Sequence, residues 1–254
     1  MLFLENKNEL SLDNFQRFDV NNWDELKERI SYKLVSNRVF HASDNIDNIV
    51  YEDCLDLSKV YIVTELSQDR NNILSYVLKK QDLEKFNKDM NDLHKQMNIN
   101  LSRDRIKRIH TIKDDALSRE ILYPLLKKRD IVALNGANIL IEESTDYKDN
   151  VLFVTNKYHV FGTSYMTDPN TLQEIYNRMG NDFYIIPTSV HQFMCVSKNY
   201  VTKNKDMYEA EDDLLDMLYK INSENKSLED ILSYKIYQYI HDDGQVLLPI
   251  KQNL

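Results

Sequence analysis

Between residues 22 and 37 apolar side chains fall at Trp23, Leu26, Ile30 and Leu34, and Asn22 stands where a cap would. Steps of three or four residues put all four on one helical face, which predicts a helix from Asn22 to about Asn37. Residues 1–21 alternate weakly and read as an extended arm. Beyond the helix the period changes. Residues 50–56 and 60–66 are rich in Val, Ile and Tyr and flank a short polar turn, a hairpin pattern, and 73–79 supplies a third strand. Leu83, Phe86, Met90, Leu93 and Met97 then recur among charges as an amphipathic helix that would cover one face of that sheet.

The stretch 98–119 carries both charge signs, with Arg103, Arg105, Lys107 and Arg108 interleaved with Ile106 and Ile109. It reads first as a solvated linker or an intervening strand and second as an anion-contacting patch. Residues 121–126 suggest a helical turn, and 131–133 with 139–141 flank Asn135-Gly136, a hairpin signal. Residues 151–155 and 160–166 are expected to pair as strands. Asp168-Pro169 then starts a helix whose buried face is Leu172, Ile175, Tyr176 and Met179, and Gly180 stops it. Strands at 183–186 and 193–197, an acidic helix over 206–222 and a hairpin around Asp242-Asp243-Gly244 complete the pattern.

Two stretches align with each other. Residues 60–64 fall on 151–155 at an offset of 91, and Ser75-Tyr76 on Ser164-Tyr165 at 89. Leu83, Phe86 and Met90 then meet Leu172, Ile175 and Met179 at the same 89. The order strand, strand, helix would thus occur twice. A strand pair with one helix leaves a sheet face uncovered, so two such units would extend or stack their sheets. The expected fold class is α+β, with antiparallel or mixed sheets, flanking helices and two pseudo-repeated strand-strand-helix units. Its expected divisions are 1–98, a charged linker and hairpin at 99–142, and 143–254.

Composition narrows the function classes. Thirty-two Lys and Arg stand against 41 Asp and Glu, a formal charge of −9. That sign opposes gripping a phosphate backbone, so no direct nucleic-acid partner is expected. Four glycines in 254 residues are too few to assemble a glycine-rich phosphate loop. Two cysteines, Cys54 and Cys195, give no disulfide framework or metal spacing, which fits a reducing, cytoplasmic setting. The chain opens on Met1-Leu2-Phe3-Leu4 without a basic leader, and no apolar run approaches the roughly 18 residues of a membrane helix. Neither export nor membrane insertion is expected.

Six histidines are scattered outside any HExxH, HxH or Cys/His cluster, so no metal and no cofactor are expected. The segment richest in chemistry runs from Phe183 through Pro187, Thr188, Ser189 and His191 to Cys195. In an extended strand Ser189 and His191 point to one side about 7 Å apart, close enough to share a polar site and long for a nucleophile–base bond. No GxSxG elbow is present. Thr155 and Asn156 end a strand expected to lie nearby, which makes Thr155, Asn156, Ser189 and His191 the candidate polar or ligand site. The competing account has Ser and Thr capping a strand break and His191 serving a buried carbonyl. Glu52, Asp53, Glu142 and Glu143 have no spacing that separates them from surface charge. The acids at 206–216 suit the start of a helix dipole without invoking function.

Residues 151–156, Gly162 and residues 180–191 resemble an uncharacterised domain-of-unknown-function family of anaerobic Firmicutes, whose hallmark reads "YVLTN, then G, then DLYILPSSIHE". Ile221-Asn222 and residues 228–239 resemble its "VN, EEVLSDSVYLY" ending, and residues 26–34 its "DRIVYKLIN" helix. The likeness covers most of the chain after residue 15. It departs at Thr188, where the family has serine, and at Gln192, where it has an acid, and a leading family segment has no counterpart. The resemblance implies a fold and carries no activity, cofactor or substrate. The leading functional expectation is a non-catalytic protein-interaction module of a bacterium, phage or mobile element. The alternatives are a small-ligand binder or hydrolase-like enzyme at Ser189 and His191, and an acidic mimic of nucleic acid.

Overall fold

The computed structural model describes residues 18–44, 46–66, 73–103, 107–110, 150–156, 160–204, 206–224, 227–228, 230–241 and 246–249. The expected elements at 121–126, 131–133 and 139–141, and the arm over 1–17, lie outside them. Among the described residues the fold is α+β, with helices packed on two antiparallel sheets.

The first helix ends long before Asn37. Helix α1 (Trp23–Leu26) is capped by the Asn22 side chain, which accepts from the Asp24 N–H, and a 3-10 turn carries the chain through Arg29. Strand β1 (Ile30–Ser36) follows, its burial alternating at Ile30, Tyr32 and Leu34. Ile30 and Leu34 share a face under helical and strand periods alike, whereas Tyr32 joins them only in a strand. The carbonyls of Lys27 and Ile30 accept from the Asn100 side-chain amide at 2.9 and 2.7 Å, so a side chain satisfies groups that a continuing helix would have bonded itself.

Helix α2 (Asn37–Phe40) links β1 to β2 (Tyr51–Cys54). The Leu55-Asp56 turn, with Leu55 at φ 61°, leads into the ten-residue β3 (Leu57–Leu66). Strand β3 carries β1 on one edge, from Ile30↔Val63 to Ser36↔Leu57. The other edge holds β2 opposite residues 57–60 and β4 (Ile73–Val77) opposite residues 62–66. The helix expected over 83–97 is two: α3 (Lys80–Lys85) and α4 (Met90–Arg103). Asn87, at φ 51°, breaks them, and Asp89 restarts the second by accepting from the Asp92 N–H at 3.0 Å. Helix α4 thus occupies the first part of the expected linker.

The second sheet runs β10-β9-β7-β8-β6-β5, with β5 (Lys107–His110), β6 (Val151–Asn156), β7 (Phe183–Ser189), β8 (Gln192–Ser197), β9 (Tyr237–Ile240) and β10 (Val246–Pro249). Pro187 does not end β7, which continues to Ser189 with a register shift after Pro187. The strand expected over 160–166 is a 3-10 segment, Gly162–Thr167. Ser164-Tyr165 therefore have no strand role to match that of Ser75-Tyr76 in β4, and the strand-strand-helix order holds in the first unit and not in the second. Helix α5 (Pro169–Met179) follows the expected plan. Asp168 caps it, Pro169 opens it, and Gly180 at φ 72° closes it.

Helices α6 (Lys198–Val201) and α7 (Met207–Glu224) complete the described helices. Strand alternation gives the second sheet two apolar faces. Val151, Phe153, Tyr184, Ile186, Met194 and Val196 meet Leu214, Met217, Leu218 and Ile221 of α7. Leu152, Val154, Phe183, Ile185 and Phe193 face the other way, into one continuous core with Ile30, Leu34, Tyr61 and Val63 of the first sheet and Leu172 and Ile175 of α5.

Candidate functional site

The antiparallel pair β7–β8 turns over at Val190-His191, and three other segments are bonded to that turn. Thr155, near the end of β6, donates its hydroxyl to the His191 carbonyl at 2.9 Å. Gly162 donates its N–H to the same oxygen at 3.0 Å, and Thr163 donates its hydroxyl to the Val190 carbonyl at 2.6 Å. From the chain after α7, the Asp230 carbonyl accepts from the Val190 N–H at 2.9 Å. Each backbone carbonyl of the turn thus gains a partner far away in sequence, as buried polar groups require.

The side chains are engaged in the same way. Ser189 Oγ accepts from the His191 N–H at 3.0 Å, the local serine turn that ends a strand. His191 Nδ1 accepts from the Phe161 N–H at 3.2 Å, which assigns the ring proton of the neutral imidazole to Nε2. Nε2 lies 3.7 Å from the Asp230 carboxylate, and the imidazole keeps 38% of its exposure. The Phe161 ring sits 5.7 Å from the imidazole, with the Lys33 ammonium 5.4 Å above it. Phe161 itself has φ 54° and ψ 28°, a left-handed conformation that costs a non-glycine residue about 1 kcal/mol or more.

Of the four expected site residues, Thr155, Ser189 and His191 come together. Asn156 pairs through its backbone with Lys107 across β5 and β6, and its side chain lies outside the described set. Phe161, Asp230 and Lys33 join the corner without any sequence signal of spacing or motif.

Three acids beside β3 form the other polar concentration. Glu52 accepts from Lys59 at 2.9 Å and pairs with His94 of α4 at 2.6 Å. Burial raises its carboxyl pKa, but Lys59 and His94 outweigh that and hold it below its ordinary value of 4.5. Asp53 binds His41 at 3.0 Å and the Ser58 hydroxyl at 2.8 Å. Asp56 accepts from the Tyr237 hydroxyl at 2.8 Å and the Ser233 hydroxyl at 3.0 Å, which ties the first sheet to the approach to β9. Glu52 and Asp53 therefore hold neighbouring elements.

Burial pushes the thiols of Cys54 and Cys195 up, away from the thiolate that a nucleophile needs. Among the described residues, no three His, Cys, Asp or Glu side chains gather as a metal site, and no helix is long and apolar enough to cross a membrane.

Residues 3–241 match the model of a family described as a family of unknown function, DUF5688. No curated protein and no solved structure matches the chain. The chain belongs to the DUF5688 family.

Proposed function

We propose that this member of the family is a non-catalytic protein-interaction module and that the His191 corner is a structural knot. One observation carries this reading. The atoms that a serine–histidine pair would use are engaged with backbone, Ser189 Oγ by the His191 N–H and His191 Nδ1 by the Phe161 N–H. A general base needs a nitrogen lone pair within reach of the proton it removes; here a backbone donor takes the Nδ1 lone pair, so in the neutral ring Nε2 carries the proton and offers none. Thr155 and Thr163 likewise serve the carbonyls of His191 and Val190.

The test uses tagged protein, wild type and His191→Ala, to capture partners from the source organism, with circular dichroism checking the fold. A partner retained by both proteins is the expected result. Turnover of a small substrate that vanishes in folded His191→Ala would overturn the reading.

A second reading, capture of a small ligand, is favoured by the half-exposed imidazole facing the Asp230 carboxylate. It predicts a compound that raises the melting temperature of the wild type and not that of Asp230→Asn.

A further inference from the structure

On the interaction-module reading, on which the proposal below rests, the protein needs a face where its partner docks. The buried side of α7 is fixed by Ala210, Leu214, Met217, Leu218 and Ile221. Its solvent side presents Tyr208, Asp212, Asp216 and Tyr219, three or four residues apart. Tyr219 and Tyr234 remain 46% and 47% exposed, and their rings lie 6.1 Å apart. Exposed large apolar groups that gather in this way mark an interaction surface.

Tyr234 is held on a fixed stretch of backbone. On one side of it the Ser233 carbonyl accepts from Asn222 of α7 at 2.9 Å, and the Ser233 hydroxyl donates to Asp56 at 3.0 Å. On the other side the Lys235 N–H donates to Ser233 Oγ at 3.0 Å. An aromatic side chain presented on pinned backbone loses little freedom on binding, the property of an anchor residue. Helix α7 itself is acidic, with six acids and a single base, Lys220, in residues 207–224, while Lys235 beside Tyr234 lies 3.9 Å from Asp56.

We propose that the solvent face of α7, together with Tyr234, docks a segment of another protein in which basic residues alternate with apolar ones. Arginine planes would stack on Tyr219 and Tyr234 while pairing with Asp212 and Asp216, and the apolar side chains would fill between the rings.

The probe is a fluorescent peptide of alternating Arg and Leu, with an alternating Glu and Leu peptide as its counterpart, read by anisotropy at low salt. The Arg peptide is expected to bind wild type. It should bind about tenfold more weakly to Tyr219→Ser/Tyr234→Ser and to Asp212→Asn/Asp216→Asn. Asp44→Asn/Glu84→Gln, which removes the same charge elsewhere, should bind like wild type, and the Glu peptide should bind none of them. Equal binding to all variants, or no binding to wild type, overturns the proposal. Light scattering forms a second arm: a dimer that dissociates in Tyr219→Ser/Tyr234→Ser would make the occupant a second copy of this chain and overturn the foreign segment. In capture from the source organism, a partner held equally by wild type and the tyrosine variant defeats this surface alone, whereas no partner for wild type defeats the interaction reading itself.

Discussion

Gly162 and Gly180 differ in what a side chain would meet. A Cβ on Gly162 would stand 2.5 Å from the His191 carbonyl oxygen and 2.6 Å from the Thr155 Cα, backbone atoms that no rotamer change moves aside. Gly162→Ala should therefore lower stability by about 2–3 kcal/mol in urea denaturation and displace the His191 imidazole resonances. At Gly180 there is open space, but the backbone sits at φ 72°. Gly180→Ala should cost only about 1 kcal/mol and Gly180→Asn less, with the histidine signals unmoved. The sequence displays Ser189 and His191 because they are two residues apart along the chain, although the structure puts Ser189 at the end of β7 and His191 in the turn that follows rather than in one extended strand. It hides Phe161, whose N–H reaches the imidazole across 30 residues of chain, and Asp230, since no local period reports such contacts.

At the scale of elements, the reading succeeded where one period or one cap decides the matter. Asp168-Pro169 and Gly180 bracket α5, and the Val- and Tyr-rich runs mark β2 and β3. It failed where two periods coincide, at Ile30 and Leu34, and where a 3-10 segment takes the place of a strand at residues 162–167. These two misread elements touch each other: the Tyr32 hydroxyl of β1 donates to the Ser164 carbonyl at 2.7 Å and lies 2.7 Å from Thr167 Oγ1. Tyr32→Phe keeps the ring and removes this link. It should lower the unfolding free energy measured in urea by about 1–2 kcal/mol while leaving strand content unchanged by circular dichroism.

At the scale of the molecule, a core continuous between the two sheets predicts one cooperative transition. The single tryptophan, Trp23, reports the first sheet's side, and the buried Cys195 thiol reports the second sheet. In a Cys54→Ser background, fluorescence and thiol reactivity should give the same denaturation midpoint; separate midpoints would mean that the halves melt independently. Alkali should act on the whole fold as well. Burial raises the Tyr32, Tyr61, Tyr184 and Tyr237 hydroxyls above their ordinary value of 10.0. Their neutral forms stabilise the folded state fully below pH 10, and that contribution declines as pH rises beyond it. Stability titrated upward from pH 9 should hold and then fall, with the phenolate absorbance of the buried tyrosines appearing only with unfolding, as a step beyond that of the exposed ones.

The bond from Tyr237 to Asp56 also has a direction in time. Its two ends are separated by 181 residues of chain, which a ribosome takes roughly 10 to 40 s to add. During that interval the turn between β2 and β3 has been made, and its aspartate still waits for the tyrosine and for Ser233. A chain that stops before residue 233 therefore lacks both hydroxyl donors of Asp56, and the joint between the β2–β3 turn and the approach to β9 stays open until they arrive.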